Sequence, residues 1–289
     1  MEITSTAKMN CLYWITSLHE SEQGVTRRVL EDLRAVAGQR QLAIVQYTPT
    51  SAAEFLAVMD QMAAEAKAGM LPMIHLDAHG SAEGGILVAA TGEYVSWEAV
   101  AGKFRVINEI VGNNLCVVSG VCFSFHFVKA IDINQVSPFF MLLAPEHEIA
   151  AGDIEENVVG FYRDMLDEAD ILTAQARWFP TQLRVFHCER MLAIVLARYI
   201  NDATSGKQKE RRKEHLVTMA VEHGVAPNRH NLRAARKLAE KGIKPTEALI
   251  DRFVPIFLAG KRPGFTIVEL KAMVENARAN GLKPVGRYA

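Results

Sequence analysis

Cysteine is scarce in this chain and follows no recurrent spacing. The four cysteines in 289 residues are Cys11, Cys116, Cys122 and Cys188. They are too few and too scattered for a disulfide framework, and no Cys-x-x-Cys pair offers a zinc site. We therefore expect four free thiols, each either a small core residue or a nucleophile. Nothing in the sequence predicts a bound cofactor.

The chain also lacks a long apolar run. Its longest apolar-rich segment, residues 115–131, is interrupted by polar side chains that include Ser119, His126 and Lys129. This falls short of the roughly 18 uninterrupted apolar residues that a membrane span needs. Residues 1–21 show no basic start followed by an apolar block and a cleavage site, which argues against a secretory signal. We expect a soluble, cytoplasmic protein with no membrane partner.

Net charge is nearly absent, but the two parts of the chain differ in sign. Residues 205–289 carry 18 Lys and Arg against 8 Asp and Glu, whereas residues 1–204 carry 14 against 25. A basic segment can dock an acidic partner, which could be nucleic acid or the acidic segment itself, or it can be an ordinary solvated surface. No aromatic residues are interleaved with the basic ones as in a nucleic-acid-binding motif. We predict two domains, 1–204 and 205–289, the second a helical regulatory or partner-binding region.

The first 170 residues alternate strand and helix patterns. This alternation predicts βαβ units, and hence an α/β domain with a mostly parallel sheet flanked by helices. The remainder predicts an all-helical appendage. The predicted strands are 11–16, 42–47, 71–76, 115–119 and 139–143, with a hairpin at 85–89 and 93–95, and a long helix at 153–169. Beyond these we predict one helix at 181–201, a solvated charged link at 205–214, and helices near 231–241, 246–259 and 266–279.

Two chemically useful side chains follow predicted strands. The third strand leads into His79-Gly80, and the fourth into Val121-Cys122. In parallel α/β sheets, sites form at the carboxyl ends of strands, and adjacent strands lie only about 4.8 Å apart. An imidazole can stabilise a thiolate and later protonate a leaving amine. We therefore predict a catalytic dyad of His79 and Cys122.

The surrounding residues predict the rest of a site. The backbone N–H groups of Gly80 and Cys122 could form an oxyanion hole, which contributes a few kcal/mol to lowering a barrier. Asp77 could orient an imidazole or line the substrate cleft, and Gly120 and Ser124 are further candidates for substrate binding.

These blocks resemble the caspase–haemoglobinase fold, and most nearly its prokaryotic caspase-like (CHAT-like) members. The matching blocks are LPMIHLDAHGS and NLCVVSGVCFS, and the resemblance covers roughly residues 10–200. It implies a cysteine endopeptidase in which His79 is the general base and acid and Cys122 the nucleophile. It further implies an effector of prokaryotic stress or antiviral defence that acts on protein substrates. Because an intracellular peptidase must be restrained, we expect activation by a protein partner, a ligand or cleavage.

The chain departs from the family pattern at two positions. Val121 stands where Ala or Ser is commoner. Gly120 stands where metacaspase-like members have an Asp that binds a basic side chain, so the resemblance gives no support for Arg or Lys specificity.

Other interpretations of these residues stay open. The fold could serve as an inactive scaffold, since fold does not fix function. His75, Asp77 and His79 alternate along one strand and could ligate a metal, which would make the protein a metallohydrolase. Among the other candidates, Cys11 and Cys116 are expected in the core. Cys188 and its neighbour His187 are expected to point apart on a helix, and His126 and Trp97 to be structural.

Overall fold

A computed structural model describes residues 5–204 and 206–280. These residues divide into two compact units. One unit comprises residues 5–188 together with Pro255–Arg262, and the other comprises Glu189–Val254 together with residues 263–280. Along the chain, the first unit ends at Cys188, and the short segment Pro255–Arg262 belongs to it again. The domain division at 204/205 stays a prediction, because compactness does not test which segments fold independently.

The first unit contains a six-stranded sheet with the spatial order β2-β1-β3-β7-β8-β9. The first five strands in that order are parallel and β9 is antiparallel to β8. This confirms the predicted α/β class. The strands are β1 (Cys11–Ser17), β2 (Ala43–Tyr47), β3 (Pro72–Ala78), β4 (Gly80–Ser81), β5 (Gly85–Val88), β6 (Glu93–Val95), β7 (Cys116–Ser119), β8 (Met141–Ala144) and β9 (Arg184–His187).

Helices flank this sheet, as the periodicity predicts. Ser51 and Ser96 cap two of them by accepting backbone N–H groups of Glu54 and Ala99, which satisfies donors that a helix start leaves free. The first helix packs against the fourth, and the second against the third. The helices are α1 (Gln23–Gly38), α2 (Ala52–Lys67), α3 (Trp97–Ile110), α4 (Ala151–Glu168) and α5 (Ile171–Trp178), with a 3₁₀ helix at Ser124–Ala130.

The predicted hairpin is confirmed and is part of a second, smaller sheet. β4, β5 and β6 form three antiparallel strands in chain order. β4 follows His79 directly, so the small sheet begins at the carboxyl end of β3. This sheet therefore fixes the direction in which the chain leaves His79.

The prediction of one helix at 181–201 is wrong in its first part. Residues Arg184–His187 form β9, and helix α6 runs from Cys188 to Thr204. Phe186 and His187 are buried where β9 pairs with β8. Four residues can follow a helical pattern by chance, and the available partner strand decides their conformation.

The second unit is helical in the part of the chain described. The predicted solvated link at 205–214 is wrong, because these residues lie in helix α7 (Gly206–Glu222), with residue 205 outside the described set. Lys, Arg, Glu and Gln are all good helix formers, and Glu210 pairs with Lys213 at 2.7 Å. The other predicted helices are confirmed as α8 (Arg229–Gly242), α9 (Glu247–Phe257) and α10 (Ile267–Ala279).

Within residues 5–204 and 206–280, no helix combines the length and apolar composition that a bilayer span requires.

Candidate active site

The two predicted catalytic residues follow adjacent strands. β3 pairs directly with β7 in parallel, and the last pair in register is Leu76 with Ser119. His79 and Cys122 each come three residues after that pair. The topology therefore brings the two chain segments to the same edge of the sheet, as expected for sites in parallel α/β proteins.

Cys122 lies in a sharp turn between β7 and the 3₁₀ helix. The Gly120 N–H donates to the Leu76 carbonyl at 2.9 Å, which ties the turn to β3. Phe123 follows with φ of 62°, a left-handed conformation that costs a non-glycine residue roughly 1–2 kcal/mol. The backbone N–H of Cys122 makes no hydrogen bond within the described residues. The turn thus leaves one backbone donor free beside the thiol.

The thiol of Cys122 contacts the backbone of Ile149. The Ile149 N–H donates to Sγ over 3.4 Å, and Sγ lies 3.8 Å from the Ile149 carbonyl oxygen. In the shorter contact the sulfur accepts a backbone N–H, and in the longer one the thiol is the donor. Cys122 has intermediate exposure, whereas the other three cysteines are buried.

His79 is paired with a carboxylate that the sequence did not point to. Its Nε2 lies 3.0 Å from both carboxylate oxygens of Glu22. Both side chains are about half exposed, at 48% and 40%. The hydrogen bond to His79 is the main cause that lowers the pKa of Glu22, so this carboxyl is ionised at neutral pH. With Nε2 held in this way, Nδ1 is the ring nitrogen left for a second partner.

Glu22 sits 57 residues before His79, in the turn that precedes α1. No local motif marks it. The available signal is topological, because α1 follows β1 and β1 is the other neighbour of β3. Residues just after β1 therefore reach the same edge of the sheet.

A cleft of about 430 Å³ opens at this edge. Four sequence-predicted residues line it, namely Asp77, His79, Gly120 and Cys122, and Glu22 lines it as well. The walls come from the start of α1, the ends of β1 and β3, and the start of α4. The apolar part of the lining consists of Trp14, Leu18, Gly24, Val25, Val29, Ala78, Ile149, Ala150, Ala151 and Ile154. The cleft has the size of a small-ligand or side-chain pocket.

Gly80 and Ser124 lie beside the cleft and are not among its lining residues. A Cβ on Gly80 would lie 2.3 Å from the Cys122 carbonyl oxygen and 2.6 Å from a Val121 methyl, so only glycine fits there. The Leu87 N–H donates to the His79 carbonyl, and Gly80 pairs with Ile86 in the same register. Because hydrogen-bonding positions alternate in an antiparallel ladder, the Gly80 N–H points away from β5. Ser124 is fully buried in the 3₁₀ helix.

Asp77 faces the cleft just before His79. Its Oδ2 accepts a short hydrogen bond from the Thr26 hydroxyl on α1. Asp77 is partly exposed to the cleft. Protein atoms nevertheless surround most of its carboxyl group, and this burial raises its pKa. The hydroxyl of Thr26 opposes that shift.

His75 lies in a different environment although it is on the same strand. It is fully buried, stacks on Trp14 with ring centroids 3.6 Å apart, and its Nδ1 is 2.9 Å from the Tyr162 hydroxyl. Burial lowers the pKa of His75 to about 3. His75 does not line the cleft, so the structure does not bring the three suggested metal ligands together there. Within residues 5–204 and 206–280, no cluster of three ligating side chains could hold a metal.

The other candidates have structural surroundings. Burial raises the pKa of the Cys11 thiol to about 11 and that of Cys116 to about 12. Trp97 packs edge-on against Phe127 and donates to the Ser81 carbonyl. His126 lies in the 3₁₀ helix rather than an α-helix, with Nδ1 2.8 Å from the Ala82 carbonyl.

Comparison with known proteins gives little further guidance. No family model and no curated protein matches the sequence. Among solved structures, the chain is similar to the crystal structure of Chaetomium thermophilum Raptor, with 12% sequence identity and a TM-score of 0.35. The similarity covers all of this chain and 30% of that one. A likeness of this degree carries no argument about function.

Proposed function

We propose that this protein is a cysteine peptidase that uses Cys122 as nucleophile and His79 as general base and acid. The observation that carries the proposal is the shared cleft, which a partly exposed thiol and a carboxylate-paired imidazole line together. A nucleophile, a base and a group that orients the base are the components of a covalent hydrolase.

The reaction would proceed in two steps. In the first, His79 takes the thiol proton and the Cys122 thiolate attacks the scissile carbonyl carbon, forming a carbon–sulfur bond. Collapse of the tetrahedral intermediate breaks the carbon–nitrogen bond, and protonated His79 gives its proton to the leaving amine. In the second, neutral His79 takes a proton from water, whose oxygen attacks the thioester. Collapse of this second intermediate breaks the carbon–sulfur bond and releases a carboxylic acid, and protonated His79 returns its proton to the Cys122 sulfur.

Two backbone groups could stabilise the oxyanion of each intermediate. The Cys122 N–H has no hydrogen-bond partner in the described chain, and the Gly80 N–H points away from β5. Donors of this kind act because they are already oriented before charge develops on the substrate oxygen. The close approach of Gly80 to the Cys122 carbonyl would keep the two segments in register.

The pairing of His79 with Glu22 would orient the ring. A carboxylate on one ring nitrogen favours the proton there, leaves the other nitrogen as acceptor, and stabilises the imidazolium. Glu22 is therefore proposed as a positioning residue.

Thiol reactivity tests the proposal without knowledge of the substrate. The full chain would be treated with iodoacetamide at about pH 7, and the alkylation rate of each cysteine measured by mass spectrometry. We expect Cys122 to react first, since Cys11, Cys116 and Cys188 are buried. In His79→Ala the rate at Cys122 should fall about tenfold or more.

His126→Ala is the matched control, since His126 lies outside the cleft and its loss should leave the rate unchanged. The dyad would be contradicted if Cys122 were alkylated no faster than the buried cysteines. It would also be contradicted if the alkylation rate of Cys122 were the same in wild type and in His79→Ala. That outcome would favour the scaffold interpretation.

A further inference from the structure

A second cavity of the first unit lies between helix α1 and the edge strand β2. It has a volume of about 190 Å³, and we call it the α1–β2 groove. Thr26 lines both the groove and the cleft, and its hydroxyl donates to Asp77, so this residue belongs to the wall that the two cavities share. The described residues that line the groove include no acidic side chain, and they are Thr16, Gln23, Thr26, Arg27, Leu30, Arg34 and Gln46.

The arginines in and just after α1 differ in their partners. Arg28 and Arg40 pair with carboxylates on α4. Arg27 and Arg34 line the groove, and their side chains make no ion pair or hydrogen bond within residues 5–204 and 206–280. They are seven residues apart, about two helical turns, and therefore share one face of α1. Glu31 lies about one turn from each, but it does not line the groove and pairs with neither. Two guanidinium groups are thus left for an anion.

The floor of the groove contains a buried hydroxyl. Thr16 is 2% exposed, and its Oγ1 has no hydrogen-bond partner in the part of the chain that the structure describes. Thr16 comes two residues after Trp14 on β1 and so shares its face of the sheet, and Gln46 on β2 is the register partner of Trp14. Buried polar groups are normally satisfied. The hydroxyl is therefore an observation, independent of the arginines, that points to a ligand with a polar atom.

The groups that line the groove favour phosphate over other ligands. Guanidinium groups pair strongly with carboxylates and phosphates, because several parallel N–H groups meet several oxygens. A carboxylate has two oxygens, whereas a phosphate monoester has three terminal ones, which suit two arginines and the Thr16 hydroxyl together. Gln23 is the first residue of α1, so the positive end of the helix dipole lies at this end of the groove.

The size of the groove limits the ligand. Pockets for drug-sized molecules have volumes of about 300–1,000 Å³, so a cavity of about 190 Å³ suits a phosphate with a short substituent rather than a whole nucleotide. A cation would meet two guanidinium groups of like charge. An apolar ligand would leave both the arginines and the Thr16 hydroxyl without a partner.

We propose that the α1–β2 groove binds the phosphate group of a small ligand, held by Arg27 and Arg34 above the Thr16 hydroxyl. The ligand is inorganic phosphate or a small phosphate monoester, which share this chemistry. The inference does not depend on the proposed peptidase reaction. The groove is nevertheless connected to the cleft, because α1 begins directly after Glu22, the partner of His79.

Calorimetric titration of the full chain with inorganic phosphate tests the site. Ionic strength would be held constant with sodium chloride, so that only specific binding is measured. We expect saturable binding that Arg27→Gln and Arg34→Gln each weaken about tenfold. Lys67→Gln, which removes an exposed cation of α2 outside the groove, should leave the affinity unchanged. No saturable binding up to about 10 mM phosphate would overturn the proposal, as would an equal affinity in wild type and in both arginine variants.

Thr16→Val tests the floor of the groove, because valine keeps the shape of threonine without the hydroxyl. An unpartnered hydroxyl contributes nothing to the stability of the free protein, so the urea midpoint should be unchanged or higher. The affinity for phosphate should fall about fivefold. A lower urea midpoint with unchanged phosphate affinity would show that the hydroxyl serves the fold, and would contradict its place in the site. If this variant does not fold, the two exposed arginine variants still decide.

Two further ligands identify the source of the phosphate group. Glycerol 3-phosphate that binds tighter than inorganic phosphate would assign the groove to a monoester, and the reverse order would assign it to free phosphate. Both outcomes uphold the proposal if the arginine variants weaken the tighter ligand. Acetate that binds as tightly as either would overturn it, because two oxygens would then suffice. Peptide hydrolysis is not measured in these titrations, so a failure of the peptidase proposal leaves their result unaffected.

Discussion

The interior and the carboxyl edge of the central sheet carry the same side-chain types in opposite environments. β3 has His75 in its interior, and His79 follows its end. β7 begins with Cys116, and Cys122 follows its end. The interior pair is buried, and burial lowers the pKa of His75 to about 3 and raises that of Cys116 to about 12. These shifts keep both interior groups uncharged at neutral pH.

The edge residues are more exposed than the interior pair and have polar partners. His79 is half exposed and paired with Glu22, and Cys122 accepts a backbone N–H at its sulfur. A lone Cys or His of this fold is thus buried in the core or exposed to the cleft according to whether it lies within the strand or just after its end. Strand position, rather than residue type, therefore decides which of these side chains is available to a ligand in this fold.

The largest expected effect separates the two cysteines of this comparison. Cys122→Ala should reduce peptide hydrolysis by about 10³-fold or more, because it removes the proposed nucleophile. Cys116→Ala, the same substitution at a buried position within β7, should leave the rate within about twofold once the folded fraction is matched. Turnover of a mixed library of fluorogenic peptides checks both. An equal loss of peptide hydrolysis in the two variants would show that Cys122 is not the nucleophile.

The next effect concerns the geometry of the edge. Gly80→Ala places a Cβ 2.3 Å from the Cys122 carbonyl oxygen, so the β3 and β7 edges must move apart. We expect a loss of about 1–3 kcal/mol in the free energy of unfolding, as for other overpacked sites. Gly102→Ala is the control, since nothing lies near its Cβ in α3 and alanine favours helix by up to about 1 kcal/mol. Urea denaturation measures both, and an unchanged Gly80→Ala would contradict the close approach.

Much of this architecture could be predicted from local patterns. The strand and helix periods predicted the parallel sheet, and strand ends followed by His79 and Cys122 predicted the candidate residues. β9 could not be predicted, because four residues carry too little periodicity and its conformation depends on pairing with β8. Glu22 could not be predicted either, because its pairing with His79 arises from the neighbourhood of β1 and β3 in the sheet.

A third effect tests the interior half of the comparison through pH. The pKa of His75 is lowered to about 3 by folding, against an ordinary value of 6.5. Below pH 6.5 the unfolded chain therefore binds a proton at His75 that the folded chain does not, so stability falls with falling pH until about pH 3. Between about pH 7 and pH 5 this one group should cost about 2 kcal/mol.

His75→Gln removes this titration while keeping a polar side chain opposite Tyr162. The variant should lose about 2 kcal/mol less than wild type over the same pH interval, whatever its stability at neutral pH. Urea denaturation at both pH values gives the four free energies of unfolding. Parallel pH profiles for the two proteins would show that His75 is not held neutral by burial.

The smallest effect returns to the edge and to Glu22. Because both members of its pair with His79 are about half exposed, the pair is worth at most about 1 kcal/mol. Glu22→Gln should therefore lower peptide hydrolysis only about two- to fivefold, with the loss in kcat rather than KM, since Glu22 acts through His79.

Glu20→Gln, two residues earlier and exposed, removes the same charge without touching the ring and should have no effect. The decisive readout is rescue by the conservative variant. Glu22→Asp keeps a carboxylate for the ring and should recover part of the lost kcat. Equal losses of kcat in Glu22→Gln and Glu20→Gln would assign the effect to the charge of the cleft as a whole, and the half-exposed pair would then carry no positioning role.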